Sequence, residues 1–274
     1  MGGYEMTNQT DVPSAFSVAG KVAVVTGAGS RADGIGNGRA ASVLLARHGA
    51  KVALIDTNRE WVEATAAMIA EEGGTARSWL CDVTEAAACK AVVGEIAEAF
   101  GAPDILVNNV GIGGPDGTAL DVDMEAWDAA MAVNVSSMVL MARACLPVMI
   151  EKGAGSIVNI ASVAGLIGGH PKLLYPTSKG AVVQMTRAMA THHGRDGVRV
   201  NCICPGMVYT PMVYTRGMDD AAREARRKRS LLQVEGSGWD VGNAVAFLAS
   251  DAARWITGAV LPVDAGTTAG RHRE

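Results

Sequence analysis

The chain has 274 residues, 49% of them apolar and 19% charged, with a formal net charge of -4. That supply of apolar side chains suffices for a large buried core and excludes whole-chain disorder. The mildly acidic balance argues against a nucleic-acid partner. The five cysteines, Cys81, Cys89, Cys145, Cys202 and Cys204, form neither a disulfide framework nor a zinc spacing. They read as buried, reduced thiols of a cytoplasmic protein. The first residues have neither a basic start nor an apolar stretch, so no signal peptide is expected. No run of roughly 18 apolar residues points to a membrane span.

Residues 1–15 read as a flexible tail and 16–268 as a single domain, since no repeat or Pro/Ser-rich linker divides the chain. Val22–Thr26 is a short β-branched run, the pattern of a strand buried on both faces. A Gly-rich turn leads to a helical pattern over Ile35–His48. Lys51–Ile55 is a second strand, ending at Asp56, and Glu60–Glu72 a helix that stops at Gly73-Gly74. Arg77–Cys81, Ile105–Asn108, Ser156–Ile160, Val198–Cys202 and Ala259–Val263 complete the strands. Between them, helices are predicted at Glu85–Phe100, within Met124–Lys152, at Leu174–Gly194 and at Asp240–Ser250. This alternation predicts an α/β fold: a doubly wound parallel sheet of about seven strands with helices on both faces. Residues 207–238 break the rhythm. Their basic run, Arg223, Arg226, Arg227, Lys228 and Arg229, suits a solvated helix face, and a long excursion of this kind suits a mobile substrate lid.

The first turn reads Thr26-Gly27-Ala28-Gly29-Ser30-Arg31-Ala32-Asp33-Gly34-Ile35-Gly36. Glycines there let backbone approach a pyrophosphate, and the following helix N-terminus offers free N–H groups. Asp56 lies 20 positions after Gly36 at a strand end, where a carboxylate accepts from an adenosine ribose.

With these features the chain resembles the short-chain dehydrogenase/reductase family, whose motif Thr-Gly-x-x-x-Gly-x-Gly is matched by Thr26, Gly27, Gly34 and Gly36, with three extra residues before Gly34. The resemblance implies a Rossmann-like fold and a nicotinamide dinucleotide held by Gly27, Ser30, Arg31, Gly34, Ile35 and Gly36. Asp56 favours NAD(H), because a carboxylate repels a 2′-phosphate. Arg31 and Arg59 are the residues that could instead admit NADP(H). Asp82-Val83 matches the adenine-contacting pair, and Asn108-Asn109-Val110-Gly111 resembles the family's Asn-Asn-Ala-Gly. Pro205-Gly206 matches the segment beside the nicotinamide, with Val208 next to it and Thr210 as the carboxamide contact.

Tyr175-Pro176-Thr177-Ser178-Lys179 places Tyr and Lys on one helix face. Ser162 precedes Tyr175 by 13 residues, at a strand end, and Asn134 lies in the helical stretch before it. The resemblance makes Asn134, Ser162, Tyr175 and Lys179 a catalytic tetrad. A tyrosine with a pKa of about 10 needs a nearby ammonium to work as a base at neutral pH. Lys179 supplies it and, by resemblance, also holds the nicotinamide ribose, while Asn134 holds a water that relays protons to Lys179. Ser162 hydrogen-bonds the substrate oxygen. Ile112, Val163, His170, Met207 and Met212 are expected to border the substrate. His48, His170, His192, His193 and His272 show no metal spacing, so no metal is expected.

The sequence thus predicts hydride transfer between NAD(P)(H) and a hydrophobic small-molecule ketone or secondary alcohol, without nucleic-acid or membrane partners. A 3-oxoacyl-thioester reductase is the nearest alternative, since a basic run could attract an acidic carrier. A non-catalytic dinucleotide sensor is the rival of another class, and the intact tetrad argues against it. The resemblance further implies a dimer or homotetramer built through the long helices and the C-terminal strand.

Overall fold

The β-branched runs pair side by side in the computed structural model, which describes residues 15–215 and 217–270. The expected tail up to residue 14, and His272, lie outside the described residues. β1 (Val22–Thr26), β2 (Lys51–Asp56), β3 (Thr75–Leu80), β4 (Ile105–Asn108), β5 (Gly155–Ile160), β6 (Val198–Pro205) and β7 (Val260–Val263) form one sheet in the order β3-β2-β1-β4-β5-β6-β7. Every pairing is parallel; Val24, for example, lies between Ala53 and Leu106. The chain runs outward from β1 to β3, returns to β4, then runs outward again to β7. The crevice at this reversal, outside the C-terminal ends of β1 and β4, is where such sheets bind ligands.

Side chains alternate across a strand, so each strand feeds two cores. On one face Ala23, Val25, Leu54 and Val107 pack against residues of α1 (Asn37–Arg47), α2 (Arg59–Glu71) and a C-terminal helix at Gly238–Ala249, among them Leu45, Val62 and Val245. On the other face Val24, Ala53, Leu106 and Ile157 pack against α3 (Ala86–Phe100) and a helix at Ser137–Lys152, through Ile96, Met141 and Cys145. The helices between are α4 (Met124–Met131), joined by a π-helical turn at Ala132–Ser136 to α5 (Ser137–Lys152), then α6 (Leu174–His193), α7 (Pro211–Tyr214), α8 (Asp220–Arg227) and α9 (Gly238–Ala249). Among the described residues, Met124–Lys152 is long and apolar enough to cross a bilayer, yet Met138, Met141, Cys145 and Met149 on it are buried in the protein. All five cysteines are buried and free.

Element ends differ from the sequence pattern for local reasons. α1 starts at Asn37 rather than Ile35, because Gly36 stays extended (φ -79°, ψ 164°). β3 starts at Thr75, as an edge strand whose half-exposed Thr75 and Ala76 carry no apolar run. β6 continues to Pro205, which pairs with Val263. Residues 207–238 fold as α7 and α8 and return to a parallel bridge between Val208 and Gly236. α8 buries none of its residues, as a solvated face requires; Arg223 is paired with Glu235 and Arg227 with Glu224.

α1 and α9 approach closely through Gly242. A Cβ there would sit 2.8 Å from Leu44 Cδ1 and 2.9 Å from the carbonyl carbon of Ala40, which is backbone and cannot yield. Gly242→Val is expected to destabilise the protein by about 1–3 kcal/mol or more through overpacking, measured by urea unfolding.

Candidate active site

The turn after β1 is shaped by two clamps. Asn109, at the end of β4, donates its amide Nδ2 to the carbonyls of Thr26 (3.2 Å) and Gly27 (2.9 Å), and its backbone N–H to Thr26 Oγ1 (3.1 Å). Asp56 accepts from Gly29 N at 3.0 Å with one carboxylate oxygen and from Asn58 N at 3.1 Å with the other. Gly27 needs its left-handed backbone (φ +61°), and a Cβ on Gly38 would collide with the Gly27 carbonyl. The result is a cleft of about 410 Å³ running from the glycine turn past β2 and β4 to α6 and α7.

Two polar atoms on the wall of this cleft, Ser30 Oγ and Asn37 Oδ1, are buried without a hydrogen-bond partner among the described residues. Buried polar groups are ordinarily paired, so these two mark a place for a ligand. They flank the N-terminus of α1, where free N–H groups favour phosphate. The pocket chemistry therefore fits a dinucleotide: a hydroxyl and helix N–H groups for the pyrophosphate, and Asp56 for ribose hydroxyls. At the far end Asp82 and Val83 line the cleft with Trp61 and Thr57. Asp82 Oδ1 accepts from the Thr84 hydroxyl (2.7 Å) and N–H (2.9 Å), which hold its carboxyl below the usual range.

The three extra residues, Arg31 to Asp33, bulge beside this turn. Arg39, buried beneath them, donates to Gly34 O (2.7 Å), Thr65 Oγ1 (3.0 Å) and Trp61 O (3.3 Å). Tyr214 on α7 donates its hydroxyl to Asp33 O.

At the other end α6 presents Tyr175 and Lys179 one turn apart. Lys179 is buried, donates Nζ to Ile160 O at 3.0 Å, and stands 5.9 Å from the centre of the Tyr175 ring. Burial pushes its pKa down to about 8, with the Cys202 and Cys204 thiols pulling weakly upward. Gly111 makes room for the ammonium, since a Cβ there would lie 3.1 Å from Nζ. Ser162 follows β5 in an extended conformation, and its Oγ accepts from Ala164 N at 3.1 Å, leaving the O–H as donor.

Asn134 sits in the π turn, fully buried. Its Oδ1 accepts from Ile112 N (2.7 Å) while Nδ2 donates to Ile112 O (2.9 Å) and Ser178 Oγ (3.0 Å); Ser178 in turn donates to Tyr175 O (2.8 Å). The amide thereby positions the chain after β4 and the start of α6.

The expected substrate residues divide. Ile112 and Met212 line the cleft, as do Gly27, Arg31, Gly36, Gly111 and Thr210 among the expected cofactor residues. His170 is exposed and stacks on Tyr175, ring centres 5.0 Å apart and tilted by 32°. Val163 is buried in the short 3-10 turn after Ser162. Met207 and Val208 line a separate cavity of about 210 Å³ with Arg226, Glu235 and Asp264. The reason is the seating of Gly206 against Asp264 and the bridge from Val208 to Gly236, which turn the chain away from the cleft. Pro205 ends β6, Gly34 faces Tyr214, and the Ile35 carbonyl packs against Gly238, so these three are not on the cleft wall. Sequence reasoning missed Asn37, Trp61, Ser178, Arg39 and Tyr214. Only Asn37, directly after the last motif glycine, carried a signal that could have found it.

A family model described as Enoyl-(Acyl carrier protein) reductase matches residues 29–268. The chain is 40% identical to 2-(S)-hydroxypropyl-CoM dehydrogenase 3 of Xanthobacter autotrophicus over 91% of this chain and 97% of that protein. It is 39% identical to meso-2,3-butanediol dehydrogenase of Serratia marcescens over 91% of this chain and 95% of that one. The crystal structure of a gluconate 5-dehydrogenase from Burkholderia cenocepacia, in complex with NADP and tartrate, superposes with a TM-score of 0.86 at 31% identity, over 94% of this chain and 99% of that one. The glycine turn, the sheet order and the Tyr175–Lys179 pair agree with these similarities over nearly the whole chain, and the protein belongs to the short-chain dehydrogenase/reductase family.

Proposed function

We propose that this protein oxidises a short secondary alcohol, or reduces the matching ketone, with NAD(H) as its preferred dinucleotide and Tyr175 as the acid–base group. It is an oxidoreductase acting on CH–OH groups. The observation that carries the residue assignment is the convergence on one cleft of Tyr175, the buried Lys179 and the unpaired Ser30 and Asn37. A nicotinamide ring bound there supplies the hydride acceptor or donor. Tyr175 takes the proton of the alcohol, and the Lys179 ammonium favours the phenolate that this requires. Ser162 donates its O–H to the substrate oxygen as charge develops there. Asn134 acts one step back, through Ser178 and the Tyr175 carbonyl.

Asp56 supports NAD(H), because backbone donors on both its oxygens hold a carboxylate, which would repel a 2′-phosphate, at the ribose end of the cleft. Arg59, a candidate clamp for a 2′-phosphate, is paired with Glu63 at 3.2 Å. The apolar wall formed by Ile112 and Met212, with the His170 ring at the rim, supports a small alcohol with one apolar substituent. Two relatives are named for secondary alcohols, 2-(S)-hydroxypropyl-CoM and meso-2,3-butanediol. An acyl-carrier substrate gains no support from α8, whose Arg223 and Arg227 are already paired with Glu235 and Glu224. Buried free thiols support a cytoplasmic setting. Val139 and Ile150, partly exposed on α5, support assembly into a dimer or tetramer.

Tyr175→Phe is expected to lower kcat by about 10²–10⁴-fold while NADH binding, read by fluorescence titration, is retained. Near wild-type turnover with 2,3-butanediol or any active alcohol would remove the assignment. Asp56→Asn keeps an acceptor for the glycine turn but removes the charge, so the ratio of kcat/KM for NAD to that for NADP should fall by about tenfold or more. Lys179 gives a third test, in the cofactor-free protein. Its pKa is about 8 folded and 10.5 free. The unfolded chain therefore binds more protons between these values, and folding stability rises with pH across that window. Wild-type stability relative to Lys179→Met should accordingly improve from about pH 7 to about pH 10, as read by urea unfolding; a constant difference would mean that the amine is not buried as a cation.

A further inference from the structure

We infer that the inserted residues Arg31 to Asp33 and the Tyr214 hydroxyl form a latch that ties the glycine turn to α7, making Tyr214 a positioning residue for the substrate; the inference rests on the cleft being the dinucleotide and substrate site. Three added residues in a loop cost chain entropy unless they are anchored. Here they are anchored from both sides. From below, the buried Arg39 guanidinium holds Gly34 O at 2.7 Å. From above, Tyr214 donates to Asp33 O. Gly34 has a positive φ of +118°, and a Cβ on it would run into the Tyr214 hydroxyl. Glycine at 34 thus serves this contact as well as the turn.

The contact continues beyond Tyr214. Its ring stacks on Tyr209 at 5.0 Å, and the Arg223 guanidinium lies 4.0 Å over the Tyr209 ring. Arg223 Nε donates to Glu235 at 2.5 Å. Glu235 adjoins Gly236, which accepts from Tyr209 N at 2.8 Å. A stack of side chains therefore runs from the glycine turn through α7 and α8 to the returning chain. At the far end of that chain Gly238 lies against Ile35 O and Gly36 O, 2.7 Å and 3.0 Å from where its Cβ would be. Tyr214 and Gly238 of the 207–238 segment thus touch the same turn. On α7, beside Tyr214, Pro211 and Met212 lie on the cleft wall, which Ile112 also lines. A group bound at the glycine turn therefore fixes the position of Met212 through Asp33 and Tyr214.

The test compares Tyr214→Phe, deletion of residues 31–33, and the two combined. Amide hydrogen exchange across 209–215 in the cofactor-free protein reports the latch without turnover. Both single changes should speed that exchange, and Tyr214→Phe should raise KM for the alcohol by about three- to tenfold with its kcat within about twofold. The double variant should match the deletion alone, because one contact cannot be lost twice. Additive effects, unchanged exchange in Tyr214→Phe, or a fall in kcat with KM intact would each overturn the latch. Should the wild type fail to bind NADH, the cofactor reading fails by itself, while the exchange result still decides whether Tyr214 and the insertion act together.

Discussion

An ammonium group buried where the sheet reverses is the constraint on which the site depends. Lys179 has Ile160 O as its hydrogen-bond partner among the described residues, so its charge is poorly compensated by the protein alone. Burying such a charge is costly, and the cost is what lowers its pKa. The surroundings are arranged to tolerate it. Gly111 leaves space beside it, the sheet end supplies a carbonyl, and the open cleft lies on its other side.

Holding α6 in register with the sheet is the corresponding mechanical requirement. It is met by polar groups deep in the protein rather than by apolar packing alone. Asn108 on β4 donates to Asn159 Oδ1 on β5 at 2.9 Å, and Asn159 donates to Thr186 Oγ1 on α6 at 3.0 Å. Thr186 closes the chain on Val182 O at 2.8 Å. All three side chains are buried, and a satisfied buried network has one good geometry where apolar contacts would have several. Asn134 and Ser178 fix the N-terminal end of the same helix. Tyr175 is thus located by bonds to three separate elements.

Much of this was legible in the residues, and the division has physical causes. β1 and β4 are continuous apolar runs because both faces are covered, so their pattern names their place. β3 is half exposed, and its start could not be read from apolarity. The glycine turn and the Tyr175–Lys179 spacing are local, and local geometry is written in local sequence. The contacts of Asn134, Arg39 and Tyr214 depend on partners 22, 26 and 181 residues away. No spacing rule reaches that far. The placement of Met207 and Val208 was not legible for a related reason: their neighbourhood in sequence is the cleft, while the Val208 bridge to Gly236 accompanies their lining a different cavity.

The reversal of strand order also has a consequence for how the chain is made. Among the described strands β1 is made first, yet its neighbours are β2 on one side and β4 on the other. Until Ile105, Leu106 and Val107 emerge to meet Ala23, Val24 and Val25, one edge of the most apolar strand in the sheet stays open. An open apolar edge is a template for pairing with another nascent chain. The exposure ends only after two further strands and three helices have been synthesised. The topology that creates the crevice in the finished protein therefore postpones the closing of that edge until β4 has been made.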